Sequence, residues 1–161
     1  MKKTPRYIFL GSTRHAIVDF DDYDWLSQWR WFFRCGRYAA RRVGAEPNSK
    51  AIFMHRVLMQ TPSEMHTDHI NGDGLDNRRC NLRVCTPKQN HQNQRPQLRA
   101  KASKYKGVSF CSYTGRWLAR CKTDGVAKNL GRYDTPEEAA KAYNVYAANL
   151  FGEFACLNQV G

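Results

Sequence analysis

Between Arg78 and Lys122 the sequence has no Asp or Glu at all, against twelve Lys or Arg. The rest of the 161 residues carries fourteen bases and fourteen acids, so the whole formal net charge of +12 sits in that one stretch. Such a stretch attracts phosphate backbones and gives salt-dependent binding. A solvated basic surface and a membrane-surface patch are the bland readings of the same charge. There are six cysteines but no C-x-x-C pair, which leaves a structural zinc site without a signal. No signal-peptide pattern opens the sequence, and no run approaches the ~18 apolar residues that a membrane helix needs. A reduced intracellular, cytoplasmic compartment with free thiols is expected, and no membrane partner. No internal repeat is present. Apolar residues make up 42 %, enough for a core, though one divided between small modules is thin.

The first fifty residues read as an α+β lead-in. Tyr7 to Leu10 and His15 to Phe20 have strand character, with Gly11 and Ser12 at the turn. Asp21, Asp22 and Asp24 suit a helix N-terminus. Trp25, Trp29, Trp31, Phe32 and Phe33 form a dense aromatic cluster, expected to be core. Arg37 to Val43 reads as a strand and Glu46 to Ser49 as a loop. Ala51 to Gln60 is expected to be helical; His55 within it is more readily structural than catalytic.

The chemistry is concentrated in residues 61 to 95. Asn71-Gly72 and Asp73-Gly74 are strong turn dipeptides, and they follow a short strand ending near His69. Leu82 to Cys85 reads as the returning strand. Thr86 suits an N-cap, Pro87 the first helical position and Gln89 the third, which together make a capping box. Strand, loop, strand and helix bring Asp68 and His69 close to Asn90. Carboxylate and amide oxygens are hard ligands suited to Mg2+ or Mn2+. A neutral imidazole is a suitable general base near pH 7. One base to activate water and one metal to stabilise a leaving oxygen are what phosphodiester hydrolysis requires.

The pattern Asp68-His69-Ile70-x-Gly72, Asp76-Asn77, Asn81-Leu82-Arg83 and Thr86-x-x-x-Asn90 resembles the HNH endonucleases, in particular the phage and intron-encoded homing endonucleases. The resemblance implies a ββα-metal unit in a bacterial or phage-infected host. It implies that Asp68 and Asn90 bind one divalent ion, that His69 is the general base, and that Asn81 braces the loop and orients His69. Asn77 would also fix the loop. His91 is the alternative to Asn90 as the last ligand, and His66 is a weaker candidate ligand. A degenerate unit that binds DNA without cutting is the bland reading.

Residues 96 to 104 read as a basic linker, and 105 to 158 as a second module. Tyr105 to Tyr113, Arg116 to Thr123 and Val126 to Tyr133 read as three strands with turns at Thr114-Gly115 and Asp124-Gly125. Thr135, Pro136 and Glu138 form another capping box, and Ala139, Tyr143, Ala147 and Leu150 recur at helical spacing. Lys106, Arg116, Arg120, Lys122, Lys128 and Arg132 are expected on the sheet face away from that helix. A sheet of this kind fits the major groove. Trp117 either packs under the helix or touches sugars. The module resembles the plant ethylene-response-factor (APETALA-type) DNA-binding domain in Tyr105-Lys106-Gly107-Val108, Trp117-x-Ala119, Leu130-Gly131-x-Tyr133, Thr135 and Glu137-Glu138-Ala139-Ala140. It does so again in Ala142-Tyr143, Ala147-Ala148, Gly152 and Leu157-Asn158. Ser109 departs from the basic residue usual after Gly-Val, so no target sequence carries over.

The expectation is a modular α+β protein: a lead-in (1–50), a central ββα-metal HNH module (51–95), the linker (96–104) and a C-terminal three-stranded antiparallel sheet packed on one helix (105–158). Its expected function is site-directed hydrolysis of double-stranded DNA with one Mg2+ or Mn2+ and no organic cofactor. Arg78, Arg79 and Arg83 would clamp phosphates. A non-catalytic, sequence-specific DNA-binding regulator with a degenerate HNH unit is the rival. An RNA endonuclease or RNA-binding protein is a second rival, for which no RNA-recognition signature is visible.

Overall fold

The computed structural model describes residues 3–11, 13–45, 47–95 and 103–161. The expected linker lies outside this set except for its last two positions, as do Ser12 of the first turn and Glu46 of the loop. Two compact units form, Met1–Asn90 and His91–Gly161, each mixing small antiparallel sheets with helix.

In the first unit, β1 (Arg6–Phe9) and β2 (His15–Val18) make a hairpin, followed by α1 (Phe20–Leu26). Then β3 (Phe32–Arg34), β4 (Tyr38–Val43) and β5 (Lys50–Phe53) form an antiparallel sheet in sequence order. The helix α2 (Met54–Met59) follows at once. The helix expected over 51–60 is thus strand over its first three residues: Phe53 pairs with Ala40 and Ala51 with Arg42. Pairing with β4 outweighs the helical pattern, as tertiary context commonly does in short apolar runs. Next come β6 (His66–His69) and β7 (Leu82–Cys85), an antiparallel pair, and α3 (Pro87–Asn93).

One core joins the lead-in to the later segment. Ile8, Leu10, Ala16, Val18, Leu26, Trp31 and Ala39 pack with Met54, Leu58 and Leu82. Of the aromatic cluster only Trp31 is buried, its indole N–H donating to the Leu26 carbonyl at 2.8 Å. Trp29 and Phe33 pack on the core from part-buried positions, and Trp25 is exposed. The hairpin also holds the loop between β6 and β7. The Ile17 amide donates to the Leu75 carbonyl (2.8 Å), and the Asn77 amide to the Ile17 carbonyl (2.7 Å). Gly74 is demanded by packing: a Cβ there would stand 2.5 Å from the Arg37 carbonyl and 2.7 Å from the Tyr38 ring.

In the second unit, β8 (Val108–Cys111), β9 (Arg116–Thr123) and β10 (Val126–Tyr133) form an antiparallel sheet with β9 central. The helix α4 (Pro136–Phe151) lies across it, opened by the expected capping box at Thr135 and Glu138. Ala139, Ala140 and Ala147 are fully buried, which lets α4 come close to Ala119 and Cys121. Gly107 has a left-handed φ of 75°, and a Cβ there would overlap the Tyr143 ring. The Asn158 side chain bonds both the amide (2.6 Å) and the carbonyl (3.1 Å) of Lys106, so the end of the chain is tied to the start of the sheet.

Candidate active site and nucleic-acid interface

Asp68 and His69 close strand β6 and are both buried, at 5 % exposure each. Asp68 stands opposite Arg83 on β7, and its Oδ2 accepts from Arg83 Nε (2.9 Å) and Nη2 (2.8 Å). The His69 ring lies 5.8 Å from Tyr38, nearly parallel to it, and 5.0 Å from His55, edge to face. Burial pushes the His69 imidazole below its ordinary value. The Asn77 side chain and the Asp68 and Asp73 carboxylates pull it up, and Arg37 pushes it down. The net direction is downward, so the ring is neutral at pH 7, the state a general base needs.

The loop between the strands is held by amides and one ion pair. Asn81 Oδ1 accepts from the Asn71 amide (2.9 Å), while its Nδ2 donates to Asn71 Oδ1 (3.0 Å) and the Asp76 carbonyl (2.8 Å). Asn71 Nδ2 then reaches Asp76 Oδ2 (2.9 Å). Arg78 grips the same carboxylate with Nε (2.8 Å) and Nη2 (2.6 Å), which above all holds Asp76 below the usual carboxylate range. Asn81, Asp76 and Asn77 are all buried, so these polar groups depend on one another.

At the start of α3 the capping box forms as expected, with the Gln89 amide on Thr86 Oγ1 (3.2 Å) and the Thr86 amide on Gln89 Oε1 (2.8 Å). Asn90 Nδ2 lies 3.1 Å from His66 Nδ1. With that amide nitrogen donating, Asn90 Oδ1 is left as a hard donor. His91 is exposed. Cys85 lies between the two candidate ligands: burial, then the Asp68 carboxylate, raise its thiol, while Arg83 and the Asn90 backbone amide act the other way. Among the described residues no three His, Cys, Asp or Glu side chains form a metal cage. The Asp68 carboxylate, which Arg83 also grips, and the Asn90 amide oxygen are the hard donors, a set that fits a hard divalent ion keeping water and phosphate as its other ligands.

The three arginines expected on phosphates are all engaged within the unit. Arg78 holds Asp76 and Arg83 holds Asp68. Arg79 holds Asp22 through Nε and Nη2 (2.8 Å each), with its amide on Asp19 Oδ2 (2.7 Å). By contrast, Arg30, Arg34, Arg37 and Arg41 carry no ion pair among the described residues. Arg30, Arg41 and Arg42 line an open cleft of about 500 Å³ with Trp29 and Phe32. Arg41 lies over the Trp29 ring at 4.4 Å. The neutral balance of the sequence outside 78–122 hides these arginines, because it averages them with fourteen acids spread from Asp19 to Glu153.

On the second unit, Trp117, Ala119 and Cys121 face α4, so Arg116, Arg120 and Lys122 project from the opposite face. Arg132 pairs with Leu118 and joins them. Lys128 pairs with Cys121, and its ammonium lies 5.0 Å from the Tyr146 ring of α4, on the helix side. A bulge between Asn129 and Gly131 adds a residue and exchanges the faces on its two sides. The Lys106 ammonium turns inward, donating to the carbonyls of Gln92 and Gln94 at 2.6 Å each. Trp117 packs under α4 and meets Phe110 edge to face.

The HNH endonuclease pattern matches residues 60–92, and the AP2 domain pattern residues 103–153. An HNH endonuclease of Acanthamoeba polyphaga mimivirus is 30 % identical over 151 residues, covering 93 % of this chain and 78 % of that protein. This chain belongs to the HNH endonuclease family. It also carries an AP2 domain. An AP2-like ethylene-responsive transcription factor of Arabidopsis thaliana is 38 % identical over 74 residues, which is 46 % of this chain and 15 % of that protein. An APETALA2-like protein of Oryza sativa is 38 % identical over 60 residues, 37 % of this chain and 14 % of the relative. No solved structure matches this HNH–AP2 chain. Among its described residues no helix is long and apolar enough to cross a membrane.

Proposed function

We propose that this chain is a DNA endonuclease of the homing type, cutting double-stranded DNA with His69 as general base and one divalent ion, Mg2+ or Mn2+, held by Asp68 and Asn90. The observation that carries the reading is the buried imidazole of His69 beside the buried carboxylate Asp68 at the end of β6. A water molecule attacks the phosphorus, His69 takes the water's proton, and the phosphorus–oxygen bond to the leaving group breaks. Asp68 and Asn90 would hold the ion, which when bound would supply positive charge to stabilise the leaving group. Asn81 and Asp76 keep the loop in shape, and the Tyr38 ring walls one side of the base.

Arg116, Arg120, Lys122 and Arg132 on the open sheet face of the AP2 domain hold the DNA site, and Arg30, Arg41 and Arg42 around the cleft of the first unit add phosphate contacts. Lys106 supports the domain from inside, and the exposed Lys128 lies over the Tyr146 ring on the helix side. The grip of Arg83 on Asp68 is the feature that favours the rival reading, a regulator with a degenerate nuclease unit.

Cleavage of supercoiled and linear DNA by wild type and His69→Ala, with Mg2+, Mn2+ or a chelator, separates the two. Metal-dependent cutting by wild type, reduced about 10²–10⁴-fold in His69→Ala at unchanged DNA affinity, supports the nuclease. Equal salt-sensitive binding by both proteins, with no cutting by either, supports the regulator.

A further inference from the structure

His55 is 7 % exposed, on α2, where β4, β5 and β6 meet. Its ring stacks on Phe53 (5.5 Å, 9°) and meets Tyr38 (5.1 Å) and His69 (5.0 Å, 81°) edge to face. Its Nδ1 is buried with no hydrogen-bond partner. Burial, with His69 and Arg56 adding to it, holds the imidazole near 3, so it is neutral and puts no charge beside its neighbour.

We propose that His55 is a positioning residue for the nuclease reaction: its imidazole edge, set between Tyr38 and Phe53, fixes the orientation of the His69 ring. This rests on the reading of His69 as the base. A ring pressed between Tyr38 and His55 keeps one aim, and a misplacement of about 1 Å in such a group costs on the order of a hundredfold in rate. His55 does not touch substrate. Its effect passes through His69.

The test compares His55→Phe, His55→Asn and His55→Ala in the full chain. Each is read by thermal melting, by DNA affinity, by single-turnover cleavage and by the ring ¹H–¹⁵N spectrum of His69. Phe keeps the ring edge against His69, whereas Asn and Ala remove it. Expected for His55→Ala are unchanged DNA affinity, a lower midpoint, and a cleavage rate about ten- to a hundredfold down. The His69 ring signals should double or broaden as that ring loses its single setting. His55→Phe should keep most of the rate and the single set of signals. Wild-type cutting by His55→Ala with an unchanged His69 spectrum overturns the proposal, as does a higher rate for Asn than for Phe. If Ala fails to fold, the ranking of Phe above Asn in rate and spectrum carries the same test. If the wild type cuts no DNA, the nuclease reading fails, and the His69 spectrum still decides whether His55 orients that ring.

Discussion

Two groups of cations, one in each unit, have opposite surroundings. Arg78, Arg79 and Arg83 neutralise Asp76, Asp22 and Asp68, and so hold the loop and strand that carry His69. Arg120, Lys122 and Arg132 stand on an open sheet whose other face is cemented by Ala119, Ala139, Ala140 and Ala147. The first group is spent on folding; around the second, apolar packing folds the sheet and leaves these three charges outside. A run of bases in a sequence therefore does not say which of them are available to a phosphate. The carboxylates they meet in space decide that, and those lie as far as 57 residues away in the case of Asp22 and Arg79.

The strongest way to break the contrast is to remove the centre of the polar network. Asn81→Ala deletes three side-chain hydrogen bonds and leaves the Asn71 amide and the Asp76 carbonyl without those partners. A loss of about 2–4 kcal/mol is expected from the first unit alone, with cleavage abolished as the loop opens. Denaturant unfolding followed unit by unit, with the Trp117 signal reporting the second, checks it. An equal loss in both units would mean that the network is not confined to the first.

Much of this was legible in the sequence where the signal is local. The Thr86 and Thr135 capping boxes, the Asn71-Gly72 turn and the strands of the second module need only neighbouring residues to be read, and each forms. Asp68, His69, Asn81 and Asn90 are likewise close in sequence and emerge on one hairpin and the helix after it. What stayed hidden is set by partners far along the chain. The strand at Lys50–Phe53 exists because β4 is there to pair with it. His55 and Tyr38 join His69 from two other elements, and nothing in a lone histidine beside an apolar run announces that. Lys128 turned to the helix side because of a single-residue bulge that strand alternation does not foresee.

Acid sharpens the same contrast. The His55 imidazole is held near 3 in the folded chain, against an ordinary 6.5. The unfolded chain therefore binds the proton first as pH falls. Stability that is complete above 6.5 is lost progressively down to about 3, by ~1.4 kcal/mol for each pH unit. Asp76, held below the usual carboxylate range by Arg78, adds a loss of the same sign at the acid end of that window. The first unit should thus melt before the second between pH 6 and 4, and His55→Phe should flatten its pH dependence. Melting curves with separate tryptophan reporters check this. Coincident transitions at every pH would show that acid does not distinguish the units.

The smallest expected effect is also the most direct reading of the two arginine groups. Each phosphate that the protein no longer neutralises lowers the slope of log K against log salt by about 0.9. Arg120→Ala and Lys122→Ala should each reduce the slope by about that amount and leave the melting temperature alone, because both side chains project away from α4. Arg79→Ala should do the reverse: it removes the bonds to Asp22 and the Leu58 carbonyl, lowering the first unit's midpoint by roughly 5 °C while the slope stays as in wild type. Binding titrations on one duplex over a series of salt concentrations separate the cases. If Arg79→Ala flattened the slope as much as Arg120→Ala, its guanidinium would serve the DNA as well as Asp22, and the division between folding charges and binding charges would not hold at that residue.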